Sequence, residues 1–401
     1  MLRANNAFRR LFTAQVVALV GTGLLTVALG LLAYDIAGNS AGAVLGTALA
    51  IKMLAYVFFA PIVSSVTSAL PRKFVLVTAD AVRALTAMAL PFVDQVWQIY
   101  VLIFVLQAAS ATFTPAFQSV IPSVVPDVHQ YTRALTLSRL AYDLESLLSP
   151  LIAAALLTVI DFHLLFVGTA AGFLASAAMV IGTALPNHAV AEHNRPTDGI
   201  AMFFENRELQ GLLALNTVVA AATALVLVNS VVYVRDLFGG GSSQLAIALG
   251  FYGGGSMIAA LFIPRALGST NDRALMLAGA ATAVTGTAAA TLVATLHGGS
   301  AGWVALATTW TILGVGTSMI NTPSARILRR ESDESTRTSI FTAQFSLSHA
   351  AFLVTYPVAG WVGSHFGQFT AAAVLTGLAT LAALSAARLW SRSRLSVVVS
   401  A

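Results

Sequence analysis

Ionisable side chains are scarce in this chain, and the few that interrupt its apolar runs are the residues whose types and spacing could do chemistry. Arg139 and Asp143 are four apart and share a helical face, whereas Glu145 sits roughly 200° around the helix from Asp143. Arg139 and Asp143 can therefore neutralise one another, and Glu145 is left without a local counter-ion. A lone carboxyl about 10 Å inside a membrane is costly as an anion, so it is suited to take up and release a proton as its exposure changes. Glu145, with Asp143 beside it, is the expected proton-coupling site. The alternative is a structural ion pair with Lys52, which lies at a compatible depth on another apolar run.

Asp80 and Arg83, three apart, form a second same-face pair with a structural or gating role, and Arg72-Lys73 is a basic pair at the head of that run. Uncharged polar groups also lie within apolar runs: Gln15, Gln107, Asn216, Asn229 and Gln344 are expected to line a substrate cavity or to bond neighbouring helices. Phe341, Phe345, His349, Phe352 and Tyr356 recur every three to four residues as one aromatic stripe. A drug-sized apolar ligand could stack there, which adds His349 and Tyr356 to the cavity; an ordinary packing stripe is the alternative.

Other chemistries find little support. The 7 histidines are scattered, with only His188 and His193 sharing a loop with Glu192, so no metal site is expected. No Gly-x-x-x-x-Gly-Lys-Ser/Thr loop is present to cradle phosphates, and no cofactor is expected. With 0 cysteines, thiolate nucleophiles, disulfides and cysteine-held metals are excluded. A membrane-embedded enzyme would need clustered catalytic groups, such as paired His and Asp near one interface, and no such cluster is seen.

The elements that must position these residues are membrane spans. Of 401 residues 57% are hydrophobic and 9% charged, against roughly 25% charged in an average soluble domain. Apolar runs of about 20 residues recur, the length a helix needs to cross a hydrocarbon core of about 30 Å. Twelve spans are read, at 10–34, 42–67, 74–93, 98–121, 134–160, 163–185, 209–233, 244–265, 274–296, 301–323, 338–362 and 368–389. Their wealth of Ala, Gly, Ser and Thr suits close helix packing and not a strand barrel, so the fold class is all-α, a polytopic membrane protein.

The net charge of +5 is a matter of placement and not of nucleic-acid binding. With the N-terminus inside, Lys and Arg crowd the cytoplasmic loops while Arg235 alone falls outside, and Lys52, Arg83 and Arg139 lie within spans. This bias predicts both termini in the cytoplasm of a bacterial inner membrane. The first span follows Arg9-Arg10 and lacks a small-residue cleavage site, so it is expected to stay as a helix and not to leave as a signal peptide.

The longest polar stretch divides the spans six and six: an N-terminal half 1–185, a cytoplasmic connector 186–208 and a C-terminal half 209–401. Within the connector, 199–205 mixes apolar and polar positions and is expected along the inner leaflet. Laid on one another, the halves bring Gln15 onto Asn216, Tyr34-Asp35 onto Arg235-Asp236, Pro61 onto Pro264, Thr114-Pro115 onto Thr322-Pro323 and Pro150 onto Pro357. Two pseudo-symmetric six-helix halves related by an axis along the membrane normal make a central cavity that can open to either side.

These features resemble the major facilitator superfamily across the chain. Where its members carry Gly-x-Leu-Ala-Asp-Arg-x-Gly-Arg-Lys, this chain reads Ser64-Ser65-Val66-Thr67-Ser68-Ala69-Leu70-Pro71-Arg72-Lys73, keeping the basic pair but placing Ser68 where the acidic residue would stand. The stretch 113–122, Phe-Thr-Pro-Ala-Phe-Gln-Ser-Val-Ile-Pro, followed by Ala134-Leu135, is similar to the drug-efflux branch with macrolide and siderophore exporters and some nickel-resistance exporters. Glu145 to Ala154 stands where antiporter members carry a Gly- and Pro-rich motif; Pro150 and the small residues remain and the glycines do not. The resemblance implies a secondary transporter exporting a small drug-like or metabolite solute by alternating access, driven by a proton gradient, and acting as a monomer in the bilayer. Divalent-metal export, of nickel above all, is the alternative within transport.

Overall fold

A computed structural model of the protein describes residues 5–59, 70–125, 151–185, 196–266, 271–296, 299–333 and 336–399, with 141, 145 and 149. Among the described residues there is helix and no strand. The helices are α1 (Asn6–Ala37), α2 (Ala41–Leu54, continued by a π-turn Ala55–Phe59), α3 (Arg72–Ala89), α4 (Val96–Val124) and α5 (His163–Ile181). The fifth span is described only in part, helical at 141, 145, 149 and over 151–156, so α5 is the sixth span. Then follow α6 (Pro196–Glu205), α7 (Arg207–Val232, continued by a π-turn Tyr233–Leu237), α8 (Ser242–Ala266), α9 (Asp272–Val293), α10 (Ser300–Arg330), α11 (Arg337–Pro357, continued by a π-turn Val358–Val362) and α12 (Gly363–Val399).

The apolar runs become helices because polar groups cap them where they leave the apolar layer. Asn5, Asn206 and Asn271 each accept a backbone N–H of the first turn of α1, α7 and α9. α1 and α2 are separated by Gly38 at φ 50°, and α12 turns away from α11 at Gly367 at φ 83°, conformations that L side chains rarely adopt. α10 runs through Pro323 to Arg330, seven residues past the span read from hydropathy. Helix geometry does not stop where the apolar layer does, and the arginines of that last stretch thereby join a helix face.

The described residues form two compact units, 1–38 with 51–192 and 39–50 with 193–401. In the first, α1, α3, α4 and α5 enclose Phe8, Leu11, Val75, Leu76, Phe113, Phe117, Ile121 and Val180. Thr169 on α5 donates to the Gly21 carbonyl of α1 at 2.9 Å, so those helices meet backbone to side chain. In the second unit, Trp310 of α10 is fully buried, donating to Ser230 Oγ at 2.7 Å and meeting the Tyr233 ring edge-on at 5.3 Å. The short helix α6 packs on α11, with Phe203 buried and Phe204 exposed. Residues 39–50 of α2 belong to this unit through a close approach to the π-turn after α11. A Cβ at Gly46 would fall 2.5 Å from the Tyr356 carbonyl oxygen, and Trp361 Nε1 donates to Thr47 at 3.0 Å.

Candidate functional site

Two charge pairs of the first unit, among the described residues, lie inside its spans. On α3, Asp80 is fully enclosed and ion-paired with Arg83. The Arg83 guanidinium lies between the Phe113 ring at 4.2 Å and the Phe173 ring at 4.4 Å, a double cation–π arrangement in a dry site. The i, i+3 spacing made the pair legible from the sequence; the aromatic clamp, from α4 and α5, was not. Arg72 and Lys73 open α3 half-buried.

Glu145 belongs to the second pair. It faces α1 where that helix carries Gly23: a Cβ there would lie 3.0 Å from Glu145 Oε1 and would collide with Ser149 one turn on. The charge acting on Glu145 is Lys52 of α2. Both side chains are half-buried and lie deep among protein atoms. Lys52 also stands 5.9 Å from the Tyr56 ring, within the π-turn that follows it. Asp143, Arg139 and Pro150 lie outside the described residues, as do the 64–69 stretch and His129, His188, Glu192, His193 and His297.

The polar residues of the second unit are spent largely on each other. Asn216 and Gln344 form a reciprocal amide pair between α7 and α11, at 3.1 and 3.2 Å. Asn229 has no accessible surface; its amide donates to the Ala359 carbonyl at 3.0 Å and to Gln368 at 2.6 Å. The Ala359 carbonyl also accepts the Gly363 backbone N–H at the end of the π-turn, so Asn229 adds a side-chain donor to an acceptor with two lone pairs. Of the amides expected in a cavity, these two sites serve interhelical bonding in this structure. Gln15 and Gln107 are buried on α1 and α4 of the first unit. The aromatic stripe on α11 is real as geometry: Phe345 to His349 is 4.1 Å between ring centres and Phe352 to Tyr356 is 5.2 Å.

Sequence reasoning missed two clusters. Tyr252 on α8 bonds Thr223 of α7 at 2.9 Å and Thr317 of α10 at 3.3 Å; hydroxyl residues are common in such spans and nothing in their spacing joins three helices. Glu208, buried at the start of α7, accepts from Arg273 Nε at 2.9 Å and Arg330 Nη2 at 2.6 Å. Asp272 reaches Arg326 at 3.4 Å and Arg330 at 3.5 Å. Charge at the span edges was the only signal for this network, and the loop placement read for Arg326 and Arg330 hid it.

Among the described residues, nine helical stretches are long and apolar enough to cross a membrane. The family model of the Major Facilitator Superfamily matches residues 11–309. The chain belongs to that superfamily.

It is accordingly a multi-pass membrane protein. A curated superfamily relative, an uncharacterized MFS-type transporter YfiS of Bacillus subtilis, is 25% identical over 50% of this chain and 46% of its own length. Macrolide efflux protein A of Streptococcus pyogenes is 24% identical over 52% of this chain and 54% of its own. The chain thus spans about half the length of the curated relatives it matches. Among solved structures, a mutant of the nucleoside transporter NupG superposes at a TM-score of 0.78 with 13% identity, covering 96% of this chain and 99% of that one. A bacterial homologue of the lysosomal transporter Spinster gives 0.74 with 11% identity, covering 97% and 96%. These share its fold.

Proposed function

We propose that this superfamily member is a secondary active transporter that exports a small drug-like or metabolite solute by alternating access, with protons moving the opposite way through Glu145. The observation that carries the reading is Glu145 itself: a half-buried carboxyl deep in a helical unit, with the Lys52 charge acting on it. Ionised, Glu145 compensates the Lys52 ammonium. Protonated, it leaves that ammonium uncompensated in a poorly polarisable surrounding, which favours a rearrangement that restores a partner or water. Proton uptake and conformation are thereby coupled by elementary electrostatics. Asp143 assists as the neighbouring carboxyl, Asp80 and Arg83 hold α3, and Gln15 and Gln107 border the solute path.

Twelve spans in two six-helix halves fit the described helices. Asn6–Phe58 and Ala343–Ser391 are 53 and 49 residues of nearly continuous helix. At 1.5 Å per residue each is about twice as long as one crossing needs, and each is broken by a glycine turn, at Gly38 and Gly367. With the fifth span these bring the nine stretches to twelve. The placement of basic loops supports cytoplasmic termini in a bacterial inner membrane, and each half has its own core, consistent with a monomer. Export and a drug-like solute are favoured by the relative named macrolide efflux protein A.

The test is efflux from proteoliposomes under an imposed pH gradient, with a panel of drug-like amines, neutral antibiotics and nickel as solutes. Glu145→Gln should abolish the dependence on the gradient while solute exchange at equal pH persists. Unchanged gradient-driven efflux in that variant would sink the assignment of Glu145, and nickel as the one transported solute would replace the drug-like reading.

A further inference from the structure

We infer that the second unit binds the ammonium group of a lipophilic amine at the hydroxyl cluster of Tyr252, Thr223 and Thr317, with its apolar body on the aromatic ladder of α11. Hydrogen-bond accounting carries the argument. Thr317 Oγ1 donates to the Gly314 carbonyl at 3.0 Å, so its single proton is committed and it can only accept from the Tyr252 hydroxyl at 3.3 Å. The Tyr252 proton is then committed too, and Thr223 at 2.9 Å must donate into Tyr252. All three hydroxyl protons are then used, that of Thr317 on the Gly314 carbonyl and the other two within the cluster, while lone pairs on Thr223 and Tyr252 remain open. Three hydroxyls in this order offer acceptors alone, which suits a ligand that brings N–H donors.

The surroundings agree. Thr223 and Tyr252 keep some accessible surface although Tyr252 lies deep among protein atoms. Tyr356 of α11 is close enough to interact electrostatically with Tyr252, and its ring continues into Phe352 at 5.2 Å. Phe352, His349 and Phe345 extend the ladder, with ring centres 6.4 and 4.1 Å apart. Aromatic faces attract a cation and accept an apolar body, and they repel an anion. No Asp or Glu of the described spans touches the cluster, so the site discriminates by donor geometry and ring faces and not by a fixed opposite charge.

The inference rests on the transporter reading only in treating this ligand as the solute; binding itself needs no gradient. The protein in lipid nanodiscs is titrated with dansylcadaverine, whose primary ammonium has three N–H donors, with its trimethylammonium derivative and with its neutral N-acetyl derivative, following dansyl fluorescence. The expected affinity order is primary ammonium, then trimethylammonium, then N-acetyl. Tyr252→Phe should weaken the primary ammonium about tenfold, the size of a hydrogen bond to a charged group, and leave the other two within about twofold. Phe352→Leu should weaken both cations by about threefold and the neutral probe less. Thr223→Val gives the same readout as Tyr252→Phe should the latter fail to fold. Equal binding of the three probes, or an ammonium preference that survives both hydroxyl variants, overturns the assignment. Tight ammonium binding without gradient-driven efflux would leave it standing and refute the transport reading instead.

Discussion

Replacing Glu208 by glutamine removes the carboxylate that Arg273 and Arg330 share. The Glu208 side chain is 4% exposed, while those of Arg273 and Arg330 are 22% and 48% exposed. Breaking a fully buried pair costs about 3–5 kcal/mol. Here one partner is nearly dry and the other two reach solvent, so solvent screening reduces the expected loss to about 1–2 kcal/mol. Part of the contact survives, because Glu208 also accepts Trp390 Nε1 at its backbone carbonyl, at 3.2 Å, and glutamine keeps that bond. For a unit of about 200 residues, 1 kcal/mol moves the midpoint by about 2–4 °C. Thermal unfolding of purified Glu208→Gln should therefore fall by several degrees, and by less at high salt, where the wild-type pair is itself weakened. Arg330→Gln should cost less than half as much, since Arg273 still holds the carboxylate, and the double variant Glu208→Gln with Arg273→Gln should lose less than the sum. Arg329→Gln, exposed on the same turn, is the control. A Glu208→Gln midpoint no lower than that control would refute the reasoning.

Other perturbations have equally definite outcomes. Asp80→Asn strands the Arg83 cation between two rings and should cost about 3–5 kcal/mol, whereas Asp80→Asn combined with Arg83→Leu should recover much of it; unfolding midpoints of the three proteins decide. Gly46→Val adds atoms where a Cβ already lies 2.5 Å from the Tyr356 carbonyl and 3.2 Å from Gly360 Cα, so a loss of about 1–3 kcal/mol is expected in thermal unfolding. Asn229→Ala leaves the Ala359 carbonyl without its side-chain donor, which should lower stability by about 1–3 kcal/mol, with Asn229→Asp no better. Asp161, in the loop before α5, is held below the ordinary carboxylate range by the His163 backbone N–H at 2.9 Å and by the His163 ring. Its folded-state value is depressed, so its contribution is present above the ordinary range and lost as pH falls through the depressed value. Because it is largely exposed, Asp161→Ala should cost under about 0.5 kcal/mol at pH 6 and less at lower pH, read from midpoints across an acid titration.

Composition and periodicity were enough to establish an all-helical membrane protein, the places of most spans and the same-face pairing of Asp80 with Arg83, because these depend on the local rule that a lipid-facing backbone must bond to itself. They also singled out Glu145, since a two-residue offset from Asp143 puts it on another face whatever surrounds it. They offered Lys52 as a counter-ion from its depth alone and gave no sign of Gly23. Lys52 and Gly23 come from other helices, and only their packing brings them to Glu145. The same holds for the hydroxyl cluster, where Tyr252, Thr223 and Thr317 are ordinary residues until three helices converge. Asn216 and Gln344 looked alike to Gln15 in sequence and became each other's partners through the crossing of α7 and α11. Which residues are intramembrane and polar is written along the chain, because transfer out of water is a property of each residue. Which of them remain open to a solute is decided by tertiary packing, because a hydrogen bond is satisfied only by a group brought within about 3 Å.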